Sequence, residues 1–196
     1  MNKQLLKCFL GLLFFMQLSM AQQDVEVTFM LENHASIETY LEAQQVSFFE
    51  GELATLKGFE NFVAFSKVGK LAVPEAYFFN AQGELIKNRN KGVSCGATIK
   101  KLAKVAHMKT DPTQTLEDFL KDVHILDQRT FMEDGTTLYV VINWAKFLSE
   151  QSEVSFNWFN SLHHSDTLKV KVLLLNLDLQ EAWNMTQDQK DFLGVL

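Results

Sequence analysis

Cysteine is almost missing from this chain of 196 residues, which holds only Cys8 and Cys95 and no Cys-x-x-Cys pair. A disulfide framework and an internal redox dithiol are therefore both excluded. Basic runs are missing as well, and the formal charge is −6. That combination excludes the electrostatic footprint that nucleic acid or an anionic membrane surface demands. No Gly-rich phosphate loop, Gly-x-Ser-x-Gly elbow or helical His-Glu-x-x-His occurs, so nucleotide-enzyme and hydrolase chemistry have no signature here. Histidine is sparse and badly spaced for a metal. His34, His107 and His124 have no Cys or His at ligand spacing, and the adjacent His163 and His164 would point about 100° apart on a helix. We expect neither a cofactor nor a metal site.

What is present at the start reads as a targeting segment. In residues 1–21, Lys3 and Lys7 form a basic start, Leu10 to Phe15 an apolar core, and Ser19-Met20-Ala21 a small-x-small cleavage site before Gln22. Lys7 and Gln17 interrupt the apolar stretch, which is too short to span a bilayer and argues against a retained membrane anchor. Cys8 precedes the apolar core, which argues against a lipoprotein. The expected location is periplasmic or extracellular. Cleavage would remove two lysines and no acid, taking the formal charge from −6 to −8. Cys95 would then be the sole thiol: free, capped, or paired with another molecule.

The rest divides into an α/β module at 22–109, a linker and amphipathic helix at 110–136, and a shorter module at 137–196. Alternation over Val25 to Leu31 predicts a half-buried strand, and Ser36 opens a short helix with Ile37, Tyr40 and Leu41 on one face. Val46 to Leu53 predicts a strand. Leu56 to Val68 predicts a helix whose Phe59, Phe62, Val63 and Phe65 pack on a sheet. Val73-Pro74 opens a strand running to Asn80, Asn80 and Gly83 build a turn, and Glu84 to Ile86 returns. A proline at a strand start costs no ladder bond, and a cis peptide there would fix a sharp bend. Ala97 to Met108 predicts a helix with Cys95 just ahead of it. Helix-start amides and Lys91, Lys100 and Lys101 would favour a thiolate at Cys95. The alternative is a small, partly buried residue at a helix start.

After a linker at Thr110 to Thr113, apolar steps at Leu116, Phe119, Leu120, Val123 and Leu126 predict one helix over Thr115 to Leu126. The second module reads strand 138–145, helix 153–163, strand 169–178, helix 187–193. It has no hairpin, so its apolar sheet edge needs a cover. Either strands from 25–108 join it in a composite sheet or a partner supplies the cover. The first option needs no second molecule and is favoured.

Three segments resemble the thioredoxin-like superfamily. Tyr139-Val140-Val141-Ile142-Asn143-Trp144-Ala145 is similar to the strand that leads into that family's redox motif, with Leu148 and Gln151 where the two cysteines would stand. Val73-Pro74-Glu75-Ala76-Tyr77-Phe78-Phe79 resembles the cis-proline strand, with Glu75 replacing the threonine common after that proline. Leu168 to Asp178 is similar to the second strand of the family. The resemblance implies a thioredoxin-like mixed α/β sheet flanked by helices, with the second module incomplete. It also implies that Val73 offers its backbone to an extended peptide beside Pro74, with Trp144 and Phe147 adding apolar contact.

The expected function is accordingly non-catalytic binding of a peptide or protein partner in the cell envelope, since the redox pair is absent. The alternative is thiol–disulfide exchange through Cys95 with a separate resolving partner, because a lone thiol cannot turn over by itself.

Overall fold

The computed structural model describes residues 29–127, 130–163 and 168–195. The targeting segment, Val25 to Thr28 of the expected first strand, and His164 lie outside the described residues. The chain runs through helix α1 (His34–Ala43), strand β1 (Leu53–Leu56), α2 (Phe59–Lys67), β2 (Glu75–Asn80) and β3 (Glu84–Ile86). A 3₁₀ turn at Gly92–Ser94, α3 (Cys95–Ile99), α4 (Leu102–Val105), β4 (Thr110–Thr115), α5 (Leu116–Leu120) and β5 (Val123–Ile125) follow. The last part holds β6 (Leu138–Trp144), a 3₁₀ turn at Lys146–Leu148, α6 (Ser149–His163), β7 (Val170–Asn176), a 3₁₀ turn at Glu181–Trp183 and α7 (Gln187–Leu193).

All seven strands form one sheet in the order β4-β3-β2-β6-β7-β1-β5. The centre is parallel, with β6 beside β7 and β7 beside β1, while β2, β3, β4 and β5 pair antiparallel around it. Strands from both sequence segments therefore interleave: β6 is covered by β2 and β7 by β1. This is the composite arrangement, and it removes the uncovered edge that the second segment would have alone. The outer edge β4 is polar, partly exposed and carries Pro112, features that discourage pairing with another chain.

Burial on both faces follows from the strand sequences, which are near-continuous apolar runs. Ala76, Phe78, Val140, Ile142, Trp144 and Leu174 pack under α1 and α6. Tyr77, Phe79, Tyr139, Val141, Leu173 and Leu175 pack on the opposite face with Phe65 of α2 and Phe119 of α5. The β2–β3 turn is closed by the Asn80 carboxamide, whose oxygen accepts from Gln82 N (3.0 Å) and Glu84 N (2.8 Å). Gly83 takes φ +78° there, and a Cβ would sit 3.3 Å from Met132 and 3.6 Å from Leu116, so glycine suits both the conformation and the space.

Five expectations change. The described part of the strand expected over Val25 to Leu31 forms only an isolated parallel bridge, Phe29 with Val195. The strand expected at Val46 to Leu53 begins only at Leu53. Val46 is buried without a strand partner, its N–H tied back to Leu41 O (3.0 Å). The single helix expected over Thr115 to Leu126 stops at Leu120. β-Branched Val123 and Ile125 then pair with β1 as β5, because helical spacing and a short buried strand are hard to tell apart over so few residues. The linker at Thr110 to Thr113 is edge strand β4, too polar to show an alternation. The helix expected over Ala97 to Met108 breaks at Lys100 and Lys101, where Lys101 leaves helical geometry at φ −132°.

Candidate functional site

The carboxyl ends of β1, β7 and β6 open on one side of the sheet, the side where parallel α/β sheets place their ligands. The start of β2 lies there too, because β2 runs antiparallel to β6 with Glu75 opposite Asn143. Continuing that register sets Pro74 beside Trp144 and Val73 beside Ala145. The Val73–Pro74 peptide is cis, the geometry that the cis-proline resemblance implies.

Asn143 positions this approach. It is the polar member of an otherwise apolar strand end, fully buried, and its Nδ2 donates to Lys70 O (2.8 Å) and Ala72 O (3.1 Å). The segment entering Val73-Pro74 is thereby pinned to β6. Among the described residues, no hydrogen bond engages the N–H or C=O of Val73. Val73 is half-buried beside the turn after β6.

That turn is held from beneath. Asp178, just past β7, accepts from Lys146 N (2.8 Å) and Phe147 N (3.4 Å), and Asn176 Nδ2 donates to it at 2.5 Å. Ser152 of α6 clasps Ala145 twice, accepting from its N–H (3.0 Å) and donating to its carbonyl (2.7 Å). The Lys146 ammonium leaves the turn to meet Glu32 (2.6 Å), whose carboxylate also accepts from Ser36 (2.5 Å). These are structural roles: the charges are spent inside the cluster. Among the described residues no group of three His, Cys, Asp or Glu side chains could hold a metal ion.

Burial raises the Asp178 carboxyl above its ordinary value of 3.8, with Glu32 adding to the rise while the bonds from Lys146, Asn176 and Phe147 oppose it. A carboxyl raised in the folded state stabilises fully below its unfolded pKa and loses that contribution as pH climbs through the folded value. Asp178→Asn, which cannot ionise, should therefore gain stability relative to the unaltered protein as pH climbs from the ordinary carboxyl value of 3.8 towards neutrality. Urea midpoints for both proteins across that range read the difference, and a difference independent of pH would refute it.

The anticipated contact residues separate. Val73 and Phe147 lie on one side of the sheet, with Phe147 half-buried and the Phe29 ring against it edge-on at 4.9 Å. Trp144 faces the other way. It is fully buried, stacked on Tyr40 at 5.9 Å and edge-on to Phe156 at 5.3 Å, so it offers no surface to a ligand. Strand alternation decides this, since a residue two places from Ile142 shares its face. Leu148 is half-buried and Gln151 exposed, so a site built around this turn has no sulfur.

Of the two readings of Cys95, the small buried residue at a helix start is the one that fits, and the thiolate is not. Cys95 is fully buried, and desolvation with the nearby Glu75 carboxylate pushes its thiol up to about 11. Its Sγ donates toward Asn90 O (3.1 Å) and Glu75 (3.3 Å). The thiolate that a helix start would favour is disfavoured instead, because the carboxylate and loss of water outweigh the lysines, which lie on the exposed side. Single-thiol exchange through Cys95 finds no support in this environment.

Sequence reading passed over Asn143, Arg89 and the Glu32–Lys146 pair. Asn143 carried a signal, a lone polar residue inside a buried-type strand; the other two are joined by folding across long separations and carried none. Comparison with protein-family models, with curated proteins and with solved structures finds no match for this chain.

Proposed function

We propose that this chain is an exported, non-catalytic binding protein of thioredoxin-like fold that holds an extended segment of a protein partner along Val73. The observation that carries the reading is the unengaged backbone of Val73, next to the cis Pro74 and braced through Asn143. An extended peptide can bond such an edge through its main chain, gaining affinity from the ladder and selectivity from flanking side chains. The cis-proline strand lying beside the strand that ends in Trp144-Ala145 supports the thioredoxin-like reading, and Leu148 and Gln151 in place of sulfur support a role without turnover.

Selection of short random peptides against residues 22–196 tests this. Selected peptides are expected to shift the amide resonances of Ala72, Val73, Ala145 and Lys146. Val73→Pro, which removes the donor, should weaken them by about three- to tenfold, the net worth of one hydrogen bond. Cys95→Ser should bind as the unaltered chain does. Peptides whose shifts map elsewhere, or a selection that enriches nothing, would reject the reading.

A further inference from the structure

On the opposite face of the sheet from Val73, α3, α4 and α6 line an open groove of about 1070 Å³. Its apolar surface comes from Val93, Ala97, Ala103 and the edge of Trp158, and its rim carries Lys100, Lys101 and Lys104. Val93 is 69% exposed. Among the described residues, no acidic side chain lines the groove. Among the described residues, no carboxylate pairs with any of the three lysines. A concentrated, uncompensated positive rim on a chain of formal charge −6 is a local reversal of the molecule's own field.

We propose that this groove docks an acidic amphipathic helix of a partner protein. Charge complementarity fixes the sign of the partner: carboxylates on its flanks would meet Lys100, Lys101 and Lys104 while an apolar stripe lies on Val93, Ala97 and Trp158. The walls fix its conformation. They are helices and turns that present no strand edge, so an extended peptide would find no ladder to join, whereas a helix brings its own hydrogen bonds. The floor of the groove is closed where α3 meets α6, since a Cβ on Gly96 would lie 3.1 Å from Trp158 Nε1, and small Ala97 and Ala103 leave room above it. The groove is also too open to enclose most of a small ligand, which sites of about 300–1000 Å³ do.

The probe is a synthetic helical peptide with a leucine stripe at i, i+3, i+4 and i+7 and glutamates on both flanks, titrated into residues 22–196 and followed by tryptophan fluorescence. Its glutamine counterpart is expected to bind about tenfold more weakly, the combined effect of several exposed charge pairs. The variant Lys100→Glu/Lys101→Glu/Lys104→Glu should lose the preference while keeping the native circular dichroism. Equal binding of the two peptides, or a charge-reversed protein that binds the glutamate peptide unchanged, would overturn the proposal. So would laurate binding with the same lysine dependence, which would make the groove a site for small amphiphiles. Self-association of the unaltered chain that the charge reversal abolishes would make the occupant a second copy, and would likewise overturn it.

Discussion

Arg89→Met is expected to cost about 3–5 kcal/mol of folding stability, because it strands a buried carboxylate. Glu75 and Arg89 form an ion pair whose side chains are 7% and 8% exposed. The carboxylate also accepts from Gly92 N (3.0 Å) and the Cys95 thiol (3.3 Å). The guanidinium lies 4.6 Å from the centre of the Tyr77 ring and donates to Asn90 O (3.0 Å). Burial, helped by Glu75, pushes the Tyr77 phenol up to about 12, so the ring stays neutral and keeps its cation-binding face. Removing the arginine leaves Glu75 charged in a low dielectric with only neutral donors, and the loop from Arg89 to Ser94 loses its anchor to the start of β2. Urea unfolding followed by circular dichroism measures the loss. The double variant Glu75→Gln/Arg89→Met should recover much of it, since removing both charges abolishes the uncompensated one. Single and double variants of equal stability would show that the pair carries no such coupling. Lys121→Met, whose partner Asp118 is exposed, should leave the midpoint unchanged.

The same pair shows how far the sequence could be read. Glu75 was legible as a departure, an acid where the thioredoxin resemblance leads one to expect threonine, but Arg89 gave no hint of being its partner. Fourteen positions and a hairpin separate them. Strands with strong patterns, β2, β3, β6 and β7, and helices α2, α6 and α7 lie close to where periodicity puts them. β2, β6 and β7 are continuous apolar runs, α2 carries an aromatic face at helical spacing, and the structure closes the start of α7 with a Thr186–Gln189 capping box. The weak edge strands β4 and β5 were not legible, because they exist through pairing with β3 and β1 and not through their own pattern. The interleaving of the two segments could be posed as a covering problem for the apolar edge of β6 and β7, since the physics of an unpaired edge is local. Which neighbours solve it depends on register, which the chain specifies only once it has folded.

Trp144→Ala is the other large effect, at about 3–5 kcal/mol, and it separates a core role from a ligand-contact role. The indole is fully buried between Tyr40 of α1 and Phe156 of α6, at the point where β6 ends and the turn held by Asp178 begins. Truncation to alanine removes the stacking partner of Tyr40 and leaves a cavity that two helices and a sheet can only partly close. Against a typical total of about 5–15 kcal/mol, this would leave a measurable unfolded fraction. Any weakening of peptide capture should then track that fraction, and should vanish when affinity is expressed per folded molecule. Trp144→Phe sharpens the distinction. Among the described residues the indole N–H has no hydrogen-bond partner, so phenylalanine gives up no bond and sheds a buried donor that costs about 1–3 kcal/mol to leave unpaired. It should lose much less stability than alanine and bind selected peptides as the unaltered chain does. A Trp144→Phe protein that is fully folded by urea titration yet fails to bind would return Trp144 to the binding surface.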